Sequence, residues 1–115
     1  MKTLFTKKII ILAMAVMAGL QSVGATEYSE KQMEVVLLFR GNEEPTAKDA
    51  VWTASDILKV GVFNDGSRRD GYASYVCQVL YERGFKGIGV WVQVIDIIQL
   101  TQNNKWVRLG QSRCQ

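Results

Sequence analysis

The chain has 115 residues, 48% of them hydrophobic and 22% charged, which is enough for one folded domain. Its formal net charge is +3, but Lys2, Lys7 and Lys8 near the N-terminus account for the whole excess. The rest of the chain has 11 basic and 11 acidic residues, and this neutral balance argues against nucleic acid or an anionic membrane surface as the partner.

Residues 1–25 have the pattern of a cleavable secretory signal. The three lysines precede an apolar run at residues 9–20, and the small residues Val23 and Ala25 follow. The run has 12 residues, fewer than the roughly 20 that a membrane-spanning helix needs. We therefore expect cleavage after Ala25, a single mature domain over residues 26–115, and a periplasmic or secreted location. Membrane contact is expected only through this segment, if it stays uncleaved.

Cys77 and Cys114 are the only cysteines of the chain. In an exported protein this pair predicts a disulfide, with two buried free thiols as the alternative. Closing a loop of about 37 residues would stabilise the domain by about 3–4 kcal/mol. A cysteine nucleophile is disfavoured, because the chain has no histidine to activate it.

The first elements of the mature chain are predicted from capping residues and apolar runs. Ser29 has the character of a helix cap, and residues 33–39 predict a helix that ends at Gly41, with a strand as the alternative. Residues 46–53 are expected to form a short helical piece or an irregular segment. Residues 57–63 are rich in branched and aromatic side chains and predict a strand.

The clearest helix signal follows the turn-forming residues 64–71. Apolar and aromatic side chains then recur on one helical face: Tyr72, Tyr75, Val76, Val79 and Leu80. We expect Ser67 or Asp70 to cap this helix and Gly84 to end it. Cys77 lies beside the apolar stripe, where it can reach a sheet packed on the helix.

The C-terminal part predicts two strands. Residues 90–100 are apolar on nearly both faces, residues 101–104 resemble a hairpin turn, and residues 105–109 alternate as a second strand. The predicted fold class is α+β: a single-layer sheet of three or four strands, with a β-α-β-β core in the second half, packed on one or two helices and joined by the disulfide. A parallel pair joined through the helix would have a right-handed crossover, and the final pair would be antiparallel.

One candidate ligand-binding segment is the loop at residues 64–71. Asp65, Arg68, Arg69 and Asp70 precede a helix start, where backbone amides and guanidinium groups attract an anion or a carboxylate. The alternative is a solvated turn whose arginines pair with Asp65, Asp70 or Glu82. The loop lacks the sequence of a phosphate-binding P-loop and the glycine spacing of a dinucleotide site.

Trp91 and Trp106 are the other ligand-binding candidates, because neighbouring strands could direct both rings to one surface patch. The alternative is that these aromatic side chains belong to the core. Asp96 is unusual among isoleucines and valines, and it is expected to be a structural partner or an edge-facing charge rather than a functional acid.

No residue pattern indicates a catalytic centre, a metal site or a cofactor. The sequence favours a non-catalytic exported binding protein, such as an inhibitor, an immunity-type protein or a ligand-binding domain, with an unknown protein or small ligand as its partner. An accessory subunit of an envelope assembly is the alternative, and a hydrolase using Asp65, Asp70 and Glu82 is the third.

Overall fold

In a computed structural model of the chain, the described backbone begins at residue 23 and the described side chains begin at residue 29. The predicted signal segment and its cleavage after Ala25 lie outside the residues described with side chains, so they stay predictions. None of the helices in the described part of the chain combines the length and apolar character that a bilayer-crossing helix needs.

The described chain contains three α-helices and one four-stranded sheet. In chain order the elements are α1 (Val23–Arg40), β1 (Ala47–Ala54), β2 (Ile57–Val62), α2 (Asp70–Leu80), a π-helical turn (Tyr81–Phe85), β3 (Trp91–Asp96), α3 (Ile97–Asn103) and β4 (Arg108–Arg113). The sheet order is β1-β2-β3-β4, with β2 and β3 parallel and both outer pairs antiparallel. The predicted α+β class and single sheet are thereby confirmed.

One face of the sheet forms the core beneath α1 and α2. Strands β2 and β3 direct alternate side chains to this face, and these are fully buried: Leu58, Val60, Val62, Val92 and Val94. The helices contribute the buried side chains Val35, Phe39, Val76 and Leu80. Burial of each such side chain stabilises the fold by about 1.5–3 kcal/mol, so this face dominates the folding free energy.

Two contacts position the helices on that face. Trp52 of β1 donates its indole N–H to the backbone oxygen of Gln32 in α1 at 3.0 Å, and its ring stacks on Phe85 with centroids 5.3 Å apart. At the opposite edge of the sheet, a Cβ on Gly110 would lie 2.3 Å from the backbone carbon of Arg69. The start of α2 therefore rests directly on the β4 backbone.

The predicted disulfide is confirmed. Cys77 of α2 is bonded to Cys114, which follows β4, and their Cα atoms are 5.3 Å apart. Both residues are buried. The bond joins the central helix to the end of the edge strand.

The prediction for residues 46–53 is wrong, because this segment forms most of β1. Alanine, lysine and aspartate at its start are poor strand formers. Pairing with β2 overrides this local preference: Ala50 lies opposite Val60, and Trp52 lies opposite Leu58. The helix prediction for residues 33–39 is correct, and α1 ends immediately before Gly41.

The predicted long strand at residues 90–100 is only half correct. Strand β3 ends at Asp96, whose side chain accepts hydrogen bonds from the backbone of Ile98 and Gln99 and so begins α3. The expected hairpin turn at residues 101–104 is instead the end of α3, where Asn104 is left-handed with φ of 54°. The last strand begins at Arg108 rather than at residue 105.

The predicted helix caps are also wrong. Ser29 lies within α1, which begins at Val23. The N-cap residue of α2 is Arg69, and it makes no side-chain cap hydrogen bond. Asp70 is the first residue of α2 and bonds to β4 instead, because a tertiary partner is close enough to compete with a local cap. At the other end, α2 gives way to the π-helical turn, in which Gly84 has φ of 93°.

Candidate functional site

The sheet face opposite the core is only partly covered. Helix α3 covers one end, where Ile97 packs so close that a Cβ on Gly61 would lie 2.7 Å from its Cδ1 atom. Beyond Gly61, no helix of the described residues covers two cross-strand rows: Val51, Lys59, Gln93 and Gln111 in one, and Ile57, Trp91 and Arg113 in the other. We call these seven residues, together with Trp106, the open face.

Each tryptophan of the open face is paired with a cation. The Arg113 guanidinium lies 5.5 Å from the centre of the Trp91 ring, and the Lys59 ammonium lies 5.0 Å from the centre of the Trp106 ring. Both separations fit cation–π contacts. Trp106 precedes β4 rather than lying in it, but its contact with Lys59 places it on the same side of the sheet as Trp91.

The open face has apolar surface as well as charge. Trp106 is 50% exposed and Val51 is 41% exposed, whereas Leu58 and Val60 on the opposite face are fully buried. Lys59 also donates to the Gln93 side-chain oxygen at 2.9 Å, which fixes its ammonium group between two strands. The structure thus brings the two predicted tryptophans to one side of the sheet, each next to a cation.

The loop at residues 64–71 is tied together by its own charges. Asp65 accepts hydrogen bonds from the Ser67 hydroxyl and backbone, which lower the pKa of Asp65, and it pairs with Arg69 at 3.4 Å. Arg68 pairs with Asp70 at 2.6 Å. Both arginines of the predicted anion site therefore already have carboxylate partners, as the solvated-turn alternative requires.

Asp70 also joins the loop to the edge of the sheet. Its second oxygen accepts the backbone N–H of Gln111 at 2.9 Å, and this bond, followed by that from Arg68, lowers the pKa of Asp70. A shallow recess beside it is lined by Arg68, Asp70, Arg108, Leu109, Gly110 and Gln111. The four loop candidates consequently lie together, and they reach the open face at Gln111.

Two tyrosines form a separate cluster next to the loop. Tyr72 and Tyr75 stack with ring centres 5.9 Å apart, and Tyr75 donates to Glu44 at 2.9 Å, which raises the pKa of Tyr75. Burial, followed by the negative charge of Glu44, raises the pKa of Tyr72. Within the described residues, the Tyr72 hydroxyl and the Arg69 Nε are buried without a hydrogen-bond partner.

Backbone groups at both edges of the sheet are bonded to side chains or loops. On β1, the Ala50 N–H donates to Asp49 and the Ala50 oxygen accepts from Arg40. On β4, the backbone oxygen of Leu109 accepts a hydrogen bond from the Arg69 N–H, and the Asp70 carboxylate accepts one from the Gln111 N–H. These bonds oppose the addition of another strand at those positions.

Sequence reasoning identified the two tryptophans but missed Lys59 and Arg113. The alternation in β2 offered a signal for Lys59, because it separates Ile57 and Lys59 from the buried Leu58 and Val60. Arg113 had no comparable signal, since β4 begins later than the sequence predicts.

No group of three or more metal-binding side chains occurs in the part of the chain that the structure describes. No protein-family model, curated protein or solved structure matches this chain.

Proposed function

We propose that the chain is an exported, non-catalytic binding protein that recognises another protein or a small ligand through the open face. The observation behind this proposal is that two tryptophans, each paired with a cation, lie on the part of the sheet face that no helix of the described residues covers. Tryptophan and arginine are the residue types most enriched among energetically dominant interface residues. A solvated sheet face usually carries polar side chains, so exposed apolar surface here favours a binding role.

The chemistry of the remaining residues supports a non-catalytic role. The chain has no histidine, and both cysteine sulfurs are bonded to each other. Asp96 accepts hydrogen bonds from a helix start, and Asp65 and Asp70 are bonded within their own loop and to β4. These carboxylates thus have structural partners. Export is supported by the N-terminal signal pattern and by the disulfide, which is typical of oxidising compartments.

Site-specific photo-cross-linking in the native cell tests this proposal. A photoreactive amino acid replaces Trp106 in the full chain, and a second version carries it at Arg68. Arg68 is the matched control, because it is highly exposed but belongs to the loop rather than to the open face. We expect a discrete cross-linked adduct at position 106 after illumination and no such adduct at position 68.

Mass spectrometry of the adduct identifies what contacts the open face. No adduct at position 106, or the same adducts at both positions, would contradict the proposal. Adducts with several subunits of one large envelope assembly would instead support the role of accessory subunit.

A further inference from the structure

We infer that the open face binds an acidic, partly apolar segment of a partner protein. This inference rests on the proposed function, since it names the chemistry of the occupant of that same face. It follows from three properties of the described residues: the free hydrogen-bond donors of the two cations, the distribution of charge, and the closed edges of the sheet.

The two cations of the open face have donors available. Among the described residues, Arg40, Arg68 and Arg69 pair with carboxylates, whereas neither Lys59 nor Arg113 has a carboxylate within ion-pair distance. The Arg113 guanidinium lies 5.5 Å from the centre of the Trp91 ring and donates no hydrogen bond within the described residues, so its N–H groups are available to a carboxylate. The ammonium of Lys59 uses one donor on Gln93 and keeps the others.

The charge of the open face is one-sided. It includes Lys59 and Arg113 and no acidic residue; Asp56 and Asp70 lie at its margins, where the Asp56 backbone oxygen accepts the Trp91 N–H and the Asp70 carboxylate accepts the Gln111 N–H. Because the chain beyond residue 25 is neutral as a whole, this positive face is balanced by acids elsewhere. A partner with carboxylates is therefore complementary to this face and is repelled from the acidic parts of the surface.

The apolar part of the face requires a partner with apolar side chains. Val51 and Trp106 are exposed, and Ile57 lies in the same row as Trp91. The amides of Gln93 and Gln111 lie side by side on neighbouring strands and can bond to the backbone of a segment laid across them. A protein segment with alternating acidic and apolar side chains satisfies all of these groups.

The bonded groups at Ala50, Leu109 and Gln111 favour the face, rather than an edge, as the binding surface. Strand addition requires free N–H and C=O groups along an outer strand. At β1 the groups of Ala50 are bonded to Asp49 and Arg40, and at β4 the loop residues Arg69 and Asp70 bond to the strand. The segment is accordingly expected to lie over the sheet and not to extend it.

Single-stranded nucleic acid and sugar chains fit these observations less well. Both are recognised through aromatic rings with open faces, on which a base or a sugar stacks. Here each tryptophan already has a cation over its ring. Nucleic acid also requires an extended positive groove, whereas the open face has two cations.

Selection from a random peptide library displayed on phage tests the inference with the oxidised, purified protein as bait. We expect the selected peptides to be enriched in aspartate and glutamate next to apolar residues. A synthetic peptide of the selected sequence should bind about tenfold more weakly to Arg113→Gln and to Lys59→Gln, and more weakly in higher salt. Arg68→Gln, which removes a cation from the loop, should leave its affinity unchanged.

The alternative outcomes show whether this inference fails alone or the proposed function fails with it. Selected peptides without acids that still lose affinity in Trp106→Ala would overturn the acidic partner but retain the binding face. Binding of a single-stranded oligonucleotide or an oligosaccharide that depends on Trp106 would also overturn the acidic partner and retain the binding face. Self-association of the protein that is lost in Arg113→Gln would have the same meaning. Peptides whose affinity changes only in Arg68→Gln would overturn both. Circular dichroism of each variant checks that the fold is intact.

Discussion

Asp96 is a buried carboxylate whose role is set by two backbone N–H groups. Its Oδ1 accepts from Ile98 at 3.0 Å and from Gln99 at 3.2 Å, and the residue is only 6% exposed. The first N–H groups of a helix have no partner within the helix. Asp96 satisfies two of them, which ends β3 and begins α3 in a run of otherwise apolar residues.

Replacing Asp96 by alanine should therefore destabilise the protein by about 1 kcal/mol, because two backbone N–H groups at the start of α3 lose their acceptor. Asp96→Asn keeps a side-chain oxygen in the same position and should lose less. Urea denaturation of the oxidised protein measures both values. Equal losses for alanine and asparagine would show that the carboxylate charge, rather than the cap, is what the fold requires.

The identity of the candidate residues could be predicted only where a side chain is informative by itself. Trp91 and Trp106 are large, and their spacing on successive predicted strands suggested a common face. Lys59 and Arg113 are unremarkable in sequence, and their importance comes from ring contacts between residues far apart in the chain. Such contacts depend on strand register, which composition and local periodicity do not determine.

At the scale of elements, α2 and β4 approach each other closely at Gly110. A side chain at Gly110 would meet the backbone of Arg69 and Asp70, at 2.3 and 2.4 Å. Backbone atoms cannot move aside as a flexible side chain can. The absence of a Cβ at this position therefore allows the start of α2 to lie on the sheet, where Asp70 reaches the Gln111 N–H.

Gly110→Ala should consequently destabilise the protein by about 3 kcal/mol, since the helix start must move away from β4. Gly71→Ala is the matched control: it changes a glycine near the same helix start, but nothing lies within 4 Å of the added Cβ. That change should be neutral or stabilising by at most about 1 kcal/mol. Thermal unfolding followed by circular dichroism compares the two, and similar stabilities would contradict the close contact at Gly110.

In the elements that were predicted correctly, the local sequence pattern agrees with the position of the element in the fold. Helix α2 shows the helical period because one side faces the sheet, and β2 is bounded by turn residues on both sides. Strand β1 and helix α3 lack such agreement: β1 starts with poor strand formers, and α3 is apolar on the side that covers Gly61 and yet partly exposed. The conformation of β1 is determined by pairing with β2, which is a tertiary effect, and the start of α3 by the Asp96 cap, a local bond that the apolar pattern of residues 90–100 masks.

At the scale of the whole molecule, the helices cover the two faces of the sheet unequally. Helices α1 and α2 cover one face of the sheet, and α3 covers only one end of the other. A domain of this size buries a limited fraction of its surface and is marginally stable without additional links. The Cys77–Cys114 bond supplies such a link on the helical side, and it anchors the end of β4 next to Arg113 of the open face.

The disulfide should contribute about 3–4 kcal/mol to the free energy of unfolding, because it closes a loop between residues separated by 37 positions in the unfolded chain. The double variant Cys77→Ala and Cys114→Ala should lose this amount in urea denaturation. Reductant should destabilise the native protein to a similar extent and leave the double variant unchanged, which separates loss of the bond from other effects of the solvent. A protein that is equally stable with and without reductant would show that packing of α2 on β3 and β4 alone holds the chain terminus in place.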